Sequence, residues 1–278
     1  MKTWFITGTS SGFGRIMTEK LLARGDRVAA TLRTPAVLDD LKSRFRDSLW
    51  TSTLDVTDSV AVRAVVDQAF THFGRIDVVV NNAGYALFGA AEELDDQEIR
   101  RQLDTNVIGS IQVVRAALPH LRAQGGGRII QVSSMGGQIG LPGLSLYHAS
   151  KWAIEGFFES ITQEVASFGI DVTIVQPAGA RTNFAGASLV TSPPLDVYAN
   201  TPVAARRAYY ASSDFKPTLD PEKAVDAMIA STDVTPAPKR LTLGAAAYTL
   251  VHAALSERLA ALEINKDVAF AAEYDVIQ

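Results

Sequence analysis

The sequence contains no cysteine. Disulfides, thiolate-bound zinc, iron–sulfur clusters and thiol nucleophiles are therefore excluded. Histidine is scarce: His72, His120, His148 and His252 are the only four, none at paired ligand spacing, so no metal site is expected. Basic charge is not in excess either, with 26 Lys+Arg against 30 Asp+Glu and a formal net charge of -4. A nucleic-acid partner would call for a basic face, and none is expected. No uninterrupted apolar run approaches the roughly 18 residues of a membrane span. The opening stretch Met1 to Gly8 is too short in apolar residues for a secretory leader, so a cytoplasmic location is expected.

What remains is an ordinary globular composition, 47% hydrophobic and 20% charged over 278 residues, enough to bury a substantial core. Short apolar runs alternate with longer amphipathic stretches. Strands are expected at 4–6, 28–32, 50–54, 76–80, 128–132, 171–175 and 239–243. Helices are expected at 15–24, 38–45, 60–73, 147–168, 221–231 and about 245–264, with one long helical region at 95–121. Gly125-Gly126-Gly127 precedes a strand instead of following one, and reads as a plain turn. This alternation predicts an α/β fold: one domain over 1–278, built on a doubly wound Rossmann-type parallel sheet with helices on both faces. Residues 185–217 break the rhythm with Pro193, Pro194, Pro202 and Pro217 among Tyr198, Tyr209, Tyr210 and Phe215. A substrate lid is the expectation, a passive surface excursion the alternative.

The first strand runs into Thr7-Gly8-Thr9-Ser10-Ser11-Gly12-Phe13-Gly14, where a helix begins. Gly8 permits a tight turn, Gly12 lets backbone approach a phosphate, and Gly14 allows close helix–strand packing. The helix N-terminus offers free N–H groups to a pyrophosphate. Further along come Asn81-Asn82-Ala83-Gly84, Thr105-Asn106-Val107-Ile108-Gly109, Val132-Ser133-Ser134, Tyr147-His148-Ala149-Ser150-Lys151 and Pro177-Ala178-Gly179-Ala180-Arg181-Thr182. In order and spacing, from residue 3 to about 184, these resemble the short-chain dehydrogenase/reductase family. In overall wording the chain is similar to bacterial oxidoreductases grouped with 17β-hydroxysteroid dehydrogenases.

Tyr147 and Lys151 are one helical turn apart and share a face. A tyrosine of ordinary pKa about 10 is a poor acid near neutrality, and a fixed ammonium nearby should pull it down. The resemblance implies the roles. Tyr147 exchanges the proton with the substrate oxygen, and Ser134 holds that oxygen. Lys151 binds the nicotinamide ribose and tunes Tyr147, while Asn106 holds a water that links Lys151 to solvent. Ser133 alternates to the other face of its strand, and His148 points away from Tyr147 and reads as packing or solvated.

The same resemblance implies dinucleotide contacts from Gly8, Ser10, Ser11, Gly12, Phe13 and Gly14. Asp55 and Val56 would meet the adenine, Asn82, Ala83 and Gly84 would line the adenosine side, and Pro177 and Thr182 would lie near the nicotinamide. Leu32 stands where enzymes using NAD carry an acid, and Arg33 follows it, so NADPH is expected over NADH. Ala178 replaces the glycine usual after that proline. Tyr85, Leu87, Phe88, Met135, Gln138, Leu141, Leu144, Phe184 and Leu189 would face a bulky, largely apolar ketone or secondary alcohol. Arg206 and Arg207 read as a solvated lid face, with attraction of an anionic group as the alternative. The expected function is a reversible carbonyl reductase; rival readings are an oxidative dehydrogenase and a dinucleotide sensor without catalysis. A homo-oligomer, dimer or tetramer, is expected through the helices around 100–120 and 150–168.

Overall fold

The computed structural model describes residues 1–182 and 188–273. Strand β1 (Thr3–Thr7) is buried at every position, as a central strand covered on both faces must be. It is flanked on one side by β2 (Arg27–Leu32) and β3 (Leu49–Thr53), and on the other by β4 (Val78–Asn81). Two later strands, named β6 (Gly127–Val132) and β7 (Ile170–Pro177), extend the sheet past β4, and β9 (Arg240–Leu243) closes that edge. All pairings in this seven-stranded sheet are parallel. The winding reverses between β1 and β4, so the loops after these two strands diverge and open a crevice at their C-terminal ends.

Period-two alternation sends neighbouring strand residues into two different cores. Phe5, Ala29, Val79 and Ile129 pack with α3 (Ser59–Phe73), α5 (Ser110–Ala123) and α6 (Ser145–Val165). Trp4, Ile6, Val28 and Val80 pack on the other face with α1 (Gly12–Ala23), α2 (Asp39–Phe45) and α8 (Pro221–Ser231). The Rossmann-type expectation is met.

Several expectations need correction. The region 95–121 is not one regular helix: α4 (Asp96–Leu103) passes through a wide π-helical turn, Asp104–Gly109, before α5. At Gly109 a Cβ would stand 2.8 Å from Val56 Cγ2, so the helix meets the loop after β3 with no space for a side chain. A second, two-stranded parallel sheet, β5 (Ala86–Phe88) with β8 (Leu189–Thr191), was not foreseen. Strands of three residues carry too few alternations to read. The lid region holds α7 (Pro202–Ala211), while its positions 185–187 and Phe184 lie outside the described residues. The C-terminal α9 (Ala245–Ile264) leads into α10 (Lys266–Ala271). Among the described residues no helix is long and apolar enough to cross a membrane.

Candidate active site

The glycine turn lies at the crevice. Gly8 has φ +72° and Gly12 φ +55°, a region that favours glycine. A Cβ on Gly8 would sit 2.8 Å from Ala83 Cα, and one on Gly14 2.3 Å from the Gly8 carbonyl oxygen. Both are packed shut. At Gly12 the nearest atom to such a Cβ is Thr182 Cβ, 3.7 Å away. The turn therefore leaves room on the Gly12 side, with Thr182 across from it. Ser10 and Ser11 are exposed there. No side chain caps α1 at Ser11, so its first N–H groups stay available to an anion. Phe13 is half-buried and packs on the core behind the turn. A dinucleotide pyrophosphate fits this cradle by space and by charge.

Asn82 acts as a brace. Its side-chain amide donates to the carbonyls of Thr7 and Gly8, both at 2.9 Å, and the N–H groups of Asn82 and Ala83 donate to the Thr7 hydroxyl, both at 3.1 Å. This ties the end of β4 to the turn after β1. At the end of β2, Leu32 is buried in the apolar cluster that holds Leu38 and Leu41, while Arg33 is exposed. Val56 is buried and Asp55 exposed. Asp55 accepts from the N–H and hydroxyl of Thr57, at 3.0 and 2.8 Å. Its carboxyl is partly desolvated, yet these bonds and the charges of Arg33 and Arg101 hold it below the usual carboxylate range. Pro177 ends β7, and the Ala178 N–H bonds to the Leu243 carbonyl at 2.9 Å. The extra methyl of Ala178 is buried and lies beside Gly244, where a Cβ would stand 3.1 Å away.

Lys151 and Asn106 converge beneath Gly84, where a Cβ would meet Asn106 Oδ1 at 3.2 Å and Lys151 Nζ at 3.8 Å. Lys151 is buried and donates to the Val132 carbonyl at 3.1 Å. Its ammonium stands 5.8 Å from the centre of the Tyr147 ring. The Asn106 side chain is committed: its oxygen accepts from the Tyr85 N–H at 3.1 Å, and its amide donates to the Tyr85 carbonyl and to Ser150 Oγ at 2.8 and 3.0 Å. Ser134 Oγ accepts from the Gly136 N–H at 3.0 Å and is hydrogen-bonded to Tyr147. Ser133, on the opposite side, donates to Glu155 at 2.7 Å.

One expectation fails in the protein alone. Burial pushes the Tyr147 hydroxyl up to about 12, with the Ser134 hydrogen bond pulling only partly the other way. Burial also pushes Lys151 down to about 8, against the attraction of Glu155. Desolvation is the largest cause for both groups.

The Tyr147 ring belongs to an apolar cluster with Ala86, Phe88 and Leu144, against which Leu141, Leu189, Val203 and Tyr210 pack. Two residues expected to face substrate, Leu87 and Gln138, are engaged elsewhere. Leu87 alternates to the opposite side of β5 and is buried outside this cluster. Gln138 spans Glu155 and Arg258, at 2.6 and 3.1 Å. Tyr85 is half-buried beside the charged groups Arg101, Glu98 and Asp104, and Met135 is half-buried outside the cluster.

Known proteins share this fold. The short chain dehydrogenase family model matches residues 2–191. The chain belongs to the short-chain dehydrogenase family. It is 48% identical over 189 residues to oxidoreductase BOA17 of Botryotinia fuckeliana, covering 68% of this chain and 69% of that one. A short-chain dehydrogenase from Streptomyces avermitilis superposes with a TM-score of 0.91 at 36% identity, covering 98% of this chain and all of that one (100%). A serine dehydrogenase solved with NADP+ superposes at 0.73 with 25% identity, covering 87% and 94%. As a member of this family, the chain is an NAD(P)-dependent dehydrogenase or reductase.

Two buried groups brace the turn after β6 in this family member: Glu155, which the sequence did not reveal, and His148, whose packing alternative is the one met. Glu155, one turn beyond Lys151 on α6, accepts from Ser133, from Gln138 and from Gln176 of β7, the last at 2.9 Å. Gly137 presses on it so closely that a Cβ would be 2.1 Å from its oxygen. His148 is buried, and its Nδ1–H donates to the Gly136 carbonyl at 2.9 Å. The turn that carries Ser134 is thus held from α6 at two points. A Glu two turns after the tyrosine, with glycines after the serine, is the pattern that could have revealed this.

Proposed function

We propose that this dehydrogenase is an NADPH-dependent carbonyl reductase, reversible to alcohol oxidation, acting on a bulky and largely apolar ketone or secondary alcohol. The observation that carries the reading is the Tyr147 hydroxyl, hydrogen-bonded to Ser134 in the wall of an apolar cluster and one turn from buried Lys151. NADPH, when bound, supplies the hydride. Gly8, Ser10, Ser11, Gly12, Phe13 and Gly14 receive its pyrophosphate side, and Arg33 receives the 2′-phosphate. Asp55 and Val56 border the adenine, with Asn82, Ala83 and Gly84 along the adenosine. Pro177 and Thr182 close the nicotinamide end.

Ser134 orients the substrate oxygen, and Tyr147 gives it a proton in reduction or takes one in oxidation. Lys151 holds the ribose, and its charge, 5.8 Å from the centre of the Tyr147 ring, opposes the burial that keeps the proton on Tyr147. Asn106 is a positioning residue, because its side-chain amide is already spent on Tyr85 and Ser150. We further assign one domain over 1–278, a cytoplasmic location and a homo-oligomer. Exposed apolar side chains support the oligomer: Ile108 and Trp152 on the two expected faces, and Leu255, Leu259 and Leu262 on α9.

The test is to titrate NADPH and NADH into the purified protein and then follow the absorbance of reduced nicotinamide with bulky ketones and aldehydes. Tighter NADPH binding with turnover is expected. Tight binding without turnover in either direction would turn the reading toward a dinucleotide sensor.

A further inference from the structure

Val203, Arg206 and Tyr210 repeat at three and four residues on α7 and so share one face of that helix. Val203 and Tyr210 pack against the cluster that contains Tyr147. Arg206, between them, is directed to the same side. Its guanidinium stands 5.9 Å from the centre of the Tyr210 ring, and its Nε is buried with no hydrogen-bond partner. Its charge is felt by His148, the neighbour of Tyr147, whose pKa burial and Arg206 both lower. His148 Nε2 is likewise buried and unpartnered. With Nδ1–H spent on Gly136, the neutral ring leaves no negative group there to answer the arginine.

The adjacent arginine shows what a satisfied one looks like here. Arg207 donates to Glu93 at 2.6 Å and to the Ser192 carbonyl at 2.9 Å, and its guanidinium lies 5.1 Å from the centre of the Phe88 ring. That arginine is architectural. Arg206 has no ion pair among the described residues; of the two stretches outside them, 183–187 contains no acidic residue and 274–278 contains Asp275. The expectation of a solvated lid face therefore fails for Arg207, while Arg206 is half-buried with its Nε withdrawn from solvent. A guanidinium with a buried, unused N–H is costly unless a ligand supplies the acceptor, and its planar fork suits a carboxylate.

We propose that Arg206 is a specificity-determining residue that receives an acidic group, a carboxylate, on the substrate bound against Tyr147. This deepens the carbonyl-reductase reading and rests on it: the substrate class becomes a bulky ketone with an apolar body and a carboxylate remote from the carbonyl.

The test compares para- and meta-acetylbenzoate with the matching methylacetophenones, which lack the charge. Each is measured by turnover with NADPH and by calorimetric titration of the NADP+-loaded enzyme. The wild type should favour an acetylbenzoate. Arg206→Gln should lower kcat/KM for it about ten- to hundredfold, mostly through KM. Activity on the methyl ketone and NADPH affinity should stay unchanged. Arg206→Lys should restore part of the preference, since it keeps the charge and loses the fork. Equal use of acid and methyl ketone by the wild type, an unchanged ratio in Arg206→Gln, or weakened NADPH binding in that variant would overturn the proposal. Carboxylate binding that Arg206→Gln abolishes, without turnover of any ketone, would uphold the anion site and count against the reductase reading instead.

Discussion

The two sides of the crevice are built differently. On the cofactor side, backbone does the work: Gly8 and Gly14 are packed to contact, and Asn82 and Thr7 tie two strand ends together by hydrogen bonds. On the substrate side, side chains from β5, α6, α7 and the segment before α6 meet around Tyr147. The first arrangement leaves little choice of residue. The second tolerates many, so long as the volume is filled and the polar groups find partners. A family can thus keep its cofactor and change its substrate.

The largest expected stability effect lies behind the substrate side, where the comparison can be broken. Glu155→Ala would leave Ser133, Gln138 and Gln176 without their buried acceptor. At ~1 kcal/mol for each stranded group, the loss should be about 3 kcal/mol, a fall in Tm of roughly 6–12 °C. Thermal unfolding checks this, and a loss under about 1 kcal/mol would mean that water replaces the carboxylate.

The cofactor side is probed by Arg33→Ala. Its charge-assisted contact with a 2′-phosphate should be worth about 1.5–3 kcal/mol, so NADPH affinity should fall about ten- to hundredfold while NADH affinity holds. Arg33 is the position to change, since Leu32 is buried in the core and an aspartate there would be desolvated. Equal losses for both cofactors would place Arg33 outside the 2′-phosphate site.

A smaller effect separates the two sides by pH. The folded pKa of Lys151, about 8, lies below its ordinary 10.5. Between these values the unfolded chain binds more protons than the folded one, so stability gains up to ~1.4 kcal/mol per pH unit as pH rises through that window. Below about 8 the cost of the buried ammonium is paid in full. Cofactor-free Lys151→Met should lack this gain. Denaturant midpoints of both proteins from pH 8 to 9.5 would read it, and parallel curves would contradict the assignment.

The same contrast explains what could be read from the sequence. The glycine turn, Tyr147 with Lys151, and the sheet with its long helices were legible because each rests on residues close in sequence or on a clear period. The bracing role of Asn82 was not legible, because its partners, the Thr7 and Gly8 carbonyls, lie some 75 residues away in the chain. Glu155, β5 with β8, and the different fates of Arg206 and Arg207 were not legible. Each depends on partners far along the chain, such as Glu93 and Ser192 for Arg207.

The most direct test of the account is Tyr147→Phe, which removes one oxygen from the substrate wall and touches nothing in the glycine turn. NADPH should bind with unchanged affinity, while turnover of any ketone that the wild type reduces should fall by a factor of about 10²–10⁴. Turnover within a few-fold of the wild type would contradict the assignment of the proton to Tyr147, and so the division of labour between the two sides.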